Sequence, residues 1–138
     1  MTFSQVLNMI RDTANAVNPT GTFIHGRNSD AANSSDKPYP RIHLYPFRQD
    51  RDPIEPEKRT SNLLFSFVKA DTGEQDEEER EAIITEMDSL VDSFIDRLIE
   101  DYSHSVEFSQ ITTEPQYQIL EGVSGYSLQL NIKTQTGC

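Results

Sequence analysis

Apolar residues recur at helical spacing in two segments of the chain. In the first, over residues 3–17, they form one stripe: Phe3, Val6, Leu7, Ile10, Ala14 and Val17. Over residues 77–102 they follow the 3.6-residue period of an α-helix more regularly still: Ile83, Ile84, Met87, Leu90, Val91, Phe94, Ile95, Leu98, Ile99 and Tyr102. The pattern therefore predicts two amphipathic helices.

Shorter apolar runs predict the strands. Residues 22–25 form a brief extended run, and residues 40–45 alternate, with Ile42 and Leu44 on one buried face. Residues 61–69 are apolar on both faces, which indicates a central strand covered on each side, or covered on one side by a partner chain. A strand from 106 to 113, running on to 119, and a last strand at 126–133 are expected to form a hairpin. Its turn contains Gly122 and Gly125, for which we expect positive φ.

This order of elements, α-β-β-β-α-β-β, predicts an α+β domain. We expect a mostly antiparallel sheet of four to five strands with both helices on one face. The 138 residues suffice for a single domain, residues 1–138, with one core. Mobile loops are predicted at residues 27–38, which are rich in Asn, Ser and Asp, and at residues 46–59, which contain three prolines.

Charge is unevenly distributed along the chain. The net charge is −11, but residues 1–70 carry nine Lys/Arg against seven Asp/Glu, whereas residues 71–138 carry three against sixteen. Nucleic-acid binding is disfavoured, because affinity for a phosphate backbone comes largely from Lys and Arg. The chain has no apolar run of about 18 residues and no signal-peptide pattern, so no membrane partner is expected.

Familiar active-site patterns are missing from the sequence. His25 and His43, with Asp30 or Asp36, lack the tight spacing typical of a zinc site. There is no GxSxG motif, and GVSG at residues 122–125 is too short for a phosphate-binding loop. We therefore expect no enzyme activity, no cofactor and no metal, with an unrecognised hydrolase as the open alternative.

The most acidic part of the chain is residues 71–81, with seven carboxylates against Arg80. Its spacing does not fit a calcium loop. Glu77, Glu78 and Glu79 point about 100° apart on a helix, so they cannot converge on one ion. Carboxylates in the first turn of a helix are favoured by its dipole. Because this explains only some of the seven, the segment is either a solvated helix start or a surface for a basic partner.

A chain with a basic first half and an acidic second half can meet a copy of itself head to tail. Such heterologous contacts form rings when the rotation closes. We expect the arm at residues 46–59 to supply cations, the acidic segment to supply anions, and the apolar second face of the 63–68 strand to supply buried area. The candidate interface residues are Arg48, Arg51, Lys58, Arg59, Glu74, Asp76, Glu77, Glu78, Glu79, Glu81, Leu64 and Val68.

Five segments carry a resemblance to a known family: FIHGR (23–27), KPYPRIHLYPF (37–47), SNLLFSFVK (61–69), EEEREAIITEMDSLVDSFIDRL (77–98) and GYSLQLNIKT (125–134). With these, nearly the whole chain resembles the small neck proteins of tailed bacteriophages, the tail terminator or tail completion family. The resemblance implies a structural virion protein, assembled in the host cytoplasm. The family has no catalytic residues to transfer.

The same resemblance implies a homo-oligomer, typically a hexameric ring, that caps the tail-tube protein and presents a surface to the head connector. DNA would only pass through its channel, where an acidic wall repels phosphate. Two alternatives stay open: another head–tail connector, such as a head completion or stopper protein, and a bacterial interaction domain with no phage role.

Overall fold

The computed structural model describes residues 1–27, 37–71, 73–120 and 122–135. Helix α1 spans Phe3–Val17. It begins at Thr2, whose hydroxyl accepts a hydrogen bond from the Gln5 amide while the Gln5 side chain accepts one from the Thr2 amide. This capping box satisfies two otherwise unpaired amides, so the local sequence is sufficient to start the helix. The helix predicted over residues 3–17 is confirmed.

The second helix, α2, spans Glu77–Tyr102, as its periodicity predicts. Among the described residues the strands are six in number: β1 Thr22–His25, β2 Arg41–Leu44, β3 Arg48–Arg51, β4 Lys58–Ala70, β5 Glu107–Leu120 and β6 Val123–Gln135. They form one sheet in the order β1-β2-β4-β6-β5. Because β6 pairs with the whole of β4, strands β2 and β3 share the other edge of β4.

The α+β class is confirmed, but the predicted strand count is wrong. The sheet is mixed, since β1 pairs parallel to β2 while β2–β4, β3–β4, β4–β6 and β5–β6 are antiparallel. The additional strand is β3, which lies inside the segment 46–59 predicted to be a loop. Its sequence, RQDR, has no apolar alternation, and only its pairing with residues 59–62 of β4 holds it in the sheet.

Both helices pack on one face of the sheet, where their apolar sides join a single core cluster. Phe94 of α2 lies at its centre, with its ring centroid 5.2 Å from that of Phe65 and 5.4 Å from that of Phe67. Alternation along β4 therefore places Leu63, Phe65 and Phe67 under α2. No helix among the described residues is long and apolar enough to cross a membrane.

Strand β2 differs from its prediction, because all four of its residues are buried. On the face expected to be wet, the Arg41 guanidinium lies 4.0 Å from the Tyr39 ring centroid and donates to the Lys37 carbonyl at 2.7 Å. Nε2 of His43 is 2.6 Å from the Gly26 carbonyl oxygen. The chain itself therefore covers the second face of β2. The predicted loop at 27–38 lies mostly outside the described residues.

The two glycines of the β5–β6 connection have different roles. Gly122 has φ of 88°, as predicted, which favours glycine. The prediction of positive φ is wrong for Gly125, which lies within β6 and has an extended backbone. A Cβ atom there would collide with the carbonyl oxygen of Phe67 on β4, so close strand approach requires the glycine.

Candidate interaction surfaces

Residues 48–59, here called the arm, consist of β3, the turn after it and the start of β4. Two of its four predicted interface cations are paired within the arm: Arg48 with Asp50 at 3.3 Å, and Lys58 with Glu55 at 2.5 Å. The arm as a whole carries four basic and four acidic residues, so it has no net charge. The arm therefore attracts distant carboxylates less strongly than its arginines alone suggest.

Arg51 and Arg59 lie directly opposite each other across β3 and β4. Their side chains share one face, and like charges so placed repel. Among the described residues neither makes an ion pair with a carboxylate. Arg59 donates from Nη1 to Oε1 of Gln49 at 3.2 Å, while its buried Nε has no hydrogen-bond partner among the residues that the structure describes. This pair is the part of the arm that can bind a carboxylate from another molecule.

A groove of about 740 Å³ lies between the base of the arm, the segment after α2 and the end of β6. The charged residues lining it are four basic and three acidic: Arg51, Lys58, Arg59, Lys133, Asp50, Asp52 and Glu107. His104 also lines it. Since the cations outnumber the anions by one, the groove favours an acidic ligand over a basic one.

The first residue of the acidic segment, Asp71, is buried and has a structural role. Its carboxylate accepts two hydrogen bonds from Arg80, from Nε at 2.7 Å and from Nη2 at 3.1 Å. It also accepts from the Ser124 hydroxyl at 2.5 Å and the Gly73 amide at 2.9 Å. The Arg80 guanidinium, followed by Ser124, holds the pKa of this carboxyl far below its usual range. Asp71 therefore ties α2 to the start of β6.

The other six carboxylates of this segment are exposed and form the acidic helix start: Glu74, Asp76, Glu77, Glu78, Glu79 and Glu81. Asp76 caps α2, accepting a hydrogen bond from the Glu79 amide at 2.8 Å. Three of the glutamates occupy the first turn, where the helix dipole favours them. Asp71 and Asp76 thus have structural roles in the fold, and the other five carboxylates form an exposed anionic surface.

The arm and the acidic helix start lie at opposite ends of β4. Lys58 begins this 13-residue strand and Ala70 ends it, so at about 3.3 Å per residue they are about 40 Å apart. Since α2 starts soon after β4 ends, the two charged surfaces cannot meet within one chain.

A second acidic surface, which was not predicted from the sequence, runs along α2. Asp88, Asp92 and Asp96 recur every four residues and therefore lie on one side of the helix. Like charges at this spacing destabilise a helix, and none of the three makes an ion pair with a described residue. The four-residue spacing of these aspartates is visible in the sequence and could have predicted this surface. The denser acidic segment at residues 71–81 makes it less conspicuous.

The predicted apolar interface on β4 is much smaller than expected. Leu64 is 46% exposed, but Val68 is only 7% exposed and Ser66 is also buried. Val68 lies opposite Arg41 on the neighbouring strand β2, and the chain itself covers this face of the β2–β4 pair. The second face of β4 thus presents Leu64 alone as a large exposed apolar residue.

The predicted alternative of a zinc site at His25 and His43 involves two aspartates, Asp30 and Asp36. No cluster of three metal-ligating side chains occurs within the described parts of the chain, and Asp30 and Asp36 lie outside them. His25 packs beside Phe3 and Phe47, and the centroid of its ring is 6.0 Å from the centroid of each phenylalanine ring.

No family model matches the sequence, and no curated protein matches it.

Proposed function

We propose that this chain is a structural subunit of a tailed-phage neck ring, of the tail terminator type. The observation that carries the proposal is that opposite charges stay unpaired on separate parts of one chain: Arg51 on the arm, and Asp92 and Asp96 on α2, make no ion pair with any described residue. Complementary charges left unpaired within a chain favour heterologous contact between copies, and such contacts form rings when the rotation closes. The sequence resemblance to neck proteins supports the same assignment.

In this proposal the subunit works by presenting surfaces and uses no catalytic group or cofactor. The arm of one copy contacts an acidic surface of the next copy. The ring then caps the tail-tube protein on one side and meets the head connector on the other. The acidic helix start faces the channel, where its exposed carboxylates repel the phosphates of passing DNA.

The decisive experiment is to measure the mass of the purified protein by light scattering over a range of concentration and salt, together with negative-stain microscopy. We expect rings with a central hole, and an association that weakens as salt rises, because exposed charge pairs are screened. A protein that stays monomeric at high concentration, at every salt concentration, contradicts the proposal.

A further inference from the structure

The tip of the arm presents one isoleucine on a hydrogen-bonded turn. Oδ1 of Asp52 accepts hydrogen bonds from the amides of Ile54 at 2.8 Å and Glu55 at 2.9 Å. Pro53 restricts the backbone between them. The Ile54 side chain is nevertheless 89% exposed. The two hydrogen bonds and the proline restrict the conformation of this turn, which reduces the conformational entropy lost on binding and makes Ile54 well suited to anchor a contact.

A matching apolar surface lies where α2 meets β5. Ile111 of β5 is directly opposite Leu130 of β6, so both point to the helix face of the sheet. Leu130 is 1% exposed but Ile111 is 43% exposed, because the helix layer does not extend fully over the edge strand. Ile99, in the last turns of α2 before the chain enters β5, is 37% exposed. Together with the half-buried Phe108, these residues form the α2–β5 strip.

The charges around the two surfaces are complementary. Asp92 and Asp96 precede Ile99 by seven and three residues, so they lie beside it on α2. Neither makes an ion pair with any described residue. Arg51, three residues before Ile54, is exposed and likewise makes no ion pair in the described chain. An arm docked on the strip would bring this cation to these anions.

We propose that the arm of one copy docks on the α2–β5 strip of a second copy, with Ile54 packed against Ile99 and Ile111 and with Arg51 beside Asp92 and Asp96. This inference rests on the ring proposed above and locates its contact. In this arrangement the arm contacts the C-terminal half of α2, and the acidic helix start is not part of the subunit contact.

The first test compares Ile54→Ser with Leu64→Ser. Both replace one exposed aliphatic residue, but Leu64 lies on the opposite face of the sheet from the strip. Buried anchors dominate interface energy, so Ile54→Ser should weaken self-association about tenfold or more, whereas Leu64→Ser should change it less than about twofold. The double variant with Asp92→Asn and Asp96→Asn should reduce the salt dependence of self-association, because it removes the carboxylates proposed to lie beside Arg51.

The second test is disulfide trapping in a Cys138→Ser background. A chain carrying Ile54→Cys is mixed with a chain carrying Ile111→Cys and oxidised; the control mixture pairs Ile54→Cys with Leu64→Cys. Since a disulfide needs Cα atoms within about 7 Å, the inference predicts covalent dimers in the first mixture alone.

Three outcomes would overturn it differently. If rings form normally with Ile54→Ser, and the mixture of Ile54→Cys and Ile111→Cys chains gives no covalent dimer, this contact is wrong but the proposed ring remains. A 54–111 disulfide within a double variant that stays monomeric assigns the strip to the chain's own arm. A wild-type protein that never associates removes the proposed function itself, and this inference with it.

Discussion

The Asp71 carboxylate and the Arg80 guanidinium form a two-point contact, with Oδ2 2.7 Å from Nε and Oδ1 3.1 Å from Nη2. Asp71 is fully buried, whereas the Arg80 side chain is 26% exposed. The same carboxylate accepts from Ser124 on β6, so one residue joins β4, α2 and β6. The Asp71–Arg80 pair therefore has a structural role, because it holds α2 and β6 to the end of β4.

Asp71→Asn should lower the free energy of unfolding by about 2 kcal/mol, because hydrogen bonds to a charged group contribute about 1.5–3 kcal/mol. Urea denaturation monitored by circular dichroism measures the loss. The control is Asp101→Asn, which removes an exposed carboxylate 2.7 Å from Arg97 and should have a far smaller effect. Equal losses in the two variants would mean that burial does not strengthen the Asp71 contacts.

The stability that Asp71 provides should be lost only in acid. Its pKa in the folded protein lies below the ordinary value of 3.8, so its contribution is complete above that value and disappears as pH falls through the folded pKa. The difference in unfolding free energy between wild type and Asp71→Asn should thus stay constant from about pH 7 to 5 and shrink below about pH 4. A difference that already fades near neutral pH would argue against the assignment.

Gly125→Ala should destabilise the protein more than Gly122→Ala. At residue 125 the new methyl group meets the Phe67 carbonyl, and the two central strands must move apart. We expect a cost of about 3 kcal/mol, at the upper end of overpacking effects. At residue 122 the methyl group has open space and only the positive φ opposes it, at about 1–2 kcal/mol. Thermal denaturation of both variants gives the order, and the reverse order would contradict this account of β6.

Replacing Glu77, Glu78 and Glu79 together by Gln should leave ring formation unchanged, since the acidic helix start is proposed to face the channel. Helix stability should fall slightly, because each exposed carboxylate in the first turn contributes about 0.3–1 kcal/mol. Light scattering and microscopy check the rings, and DNA passage in assembled particles should be impaired. If this variant fails to assemble while Asp92→Asn with Asp96→Asn assembles normally, the helix start is the contact surface instead.

Periodicity in the sequence was sufficient for both helices and for the approximate positions of β1, β2, β4, β5 and β6. The reason is that apolar spacing reflects which side of an element is buried, and this information is local. The strand β3 was not predictable in this way, because its four polar residues are held by a partner strand and not by their own pattern.

The sequence by itself determined the α+β class, the two helix ranges and the uneven distribution of charge. Only the tertiary structure decided which charges are structural and which are exposed: it buries Asp71 against Arg80, pairs Arg48 and Lys58 within the arm, and leaves Arg51 and Asp92 without ion partners among the described residues. It also reduced the apolar face of β4 to Leu64 and revealed the exposed Ile54 and the α2–β5 strip. The physical reason is that the surroundings of a side chain depend on residues distant in sequence, which spacing along the chain does not encode.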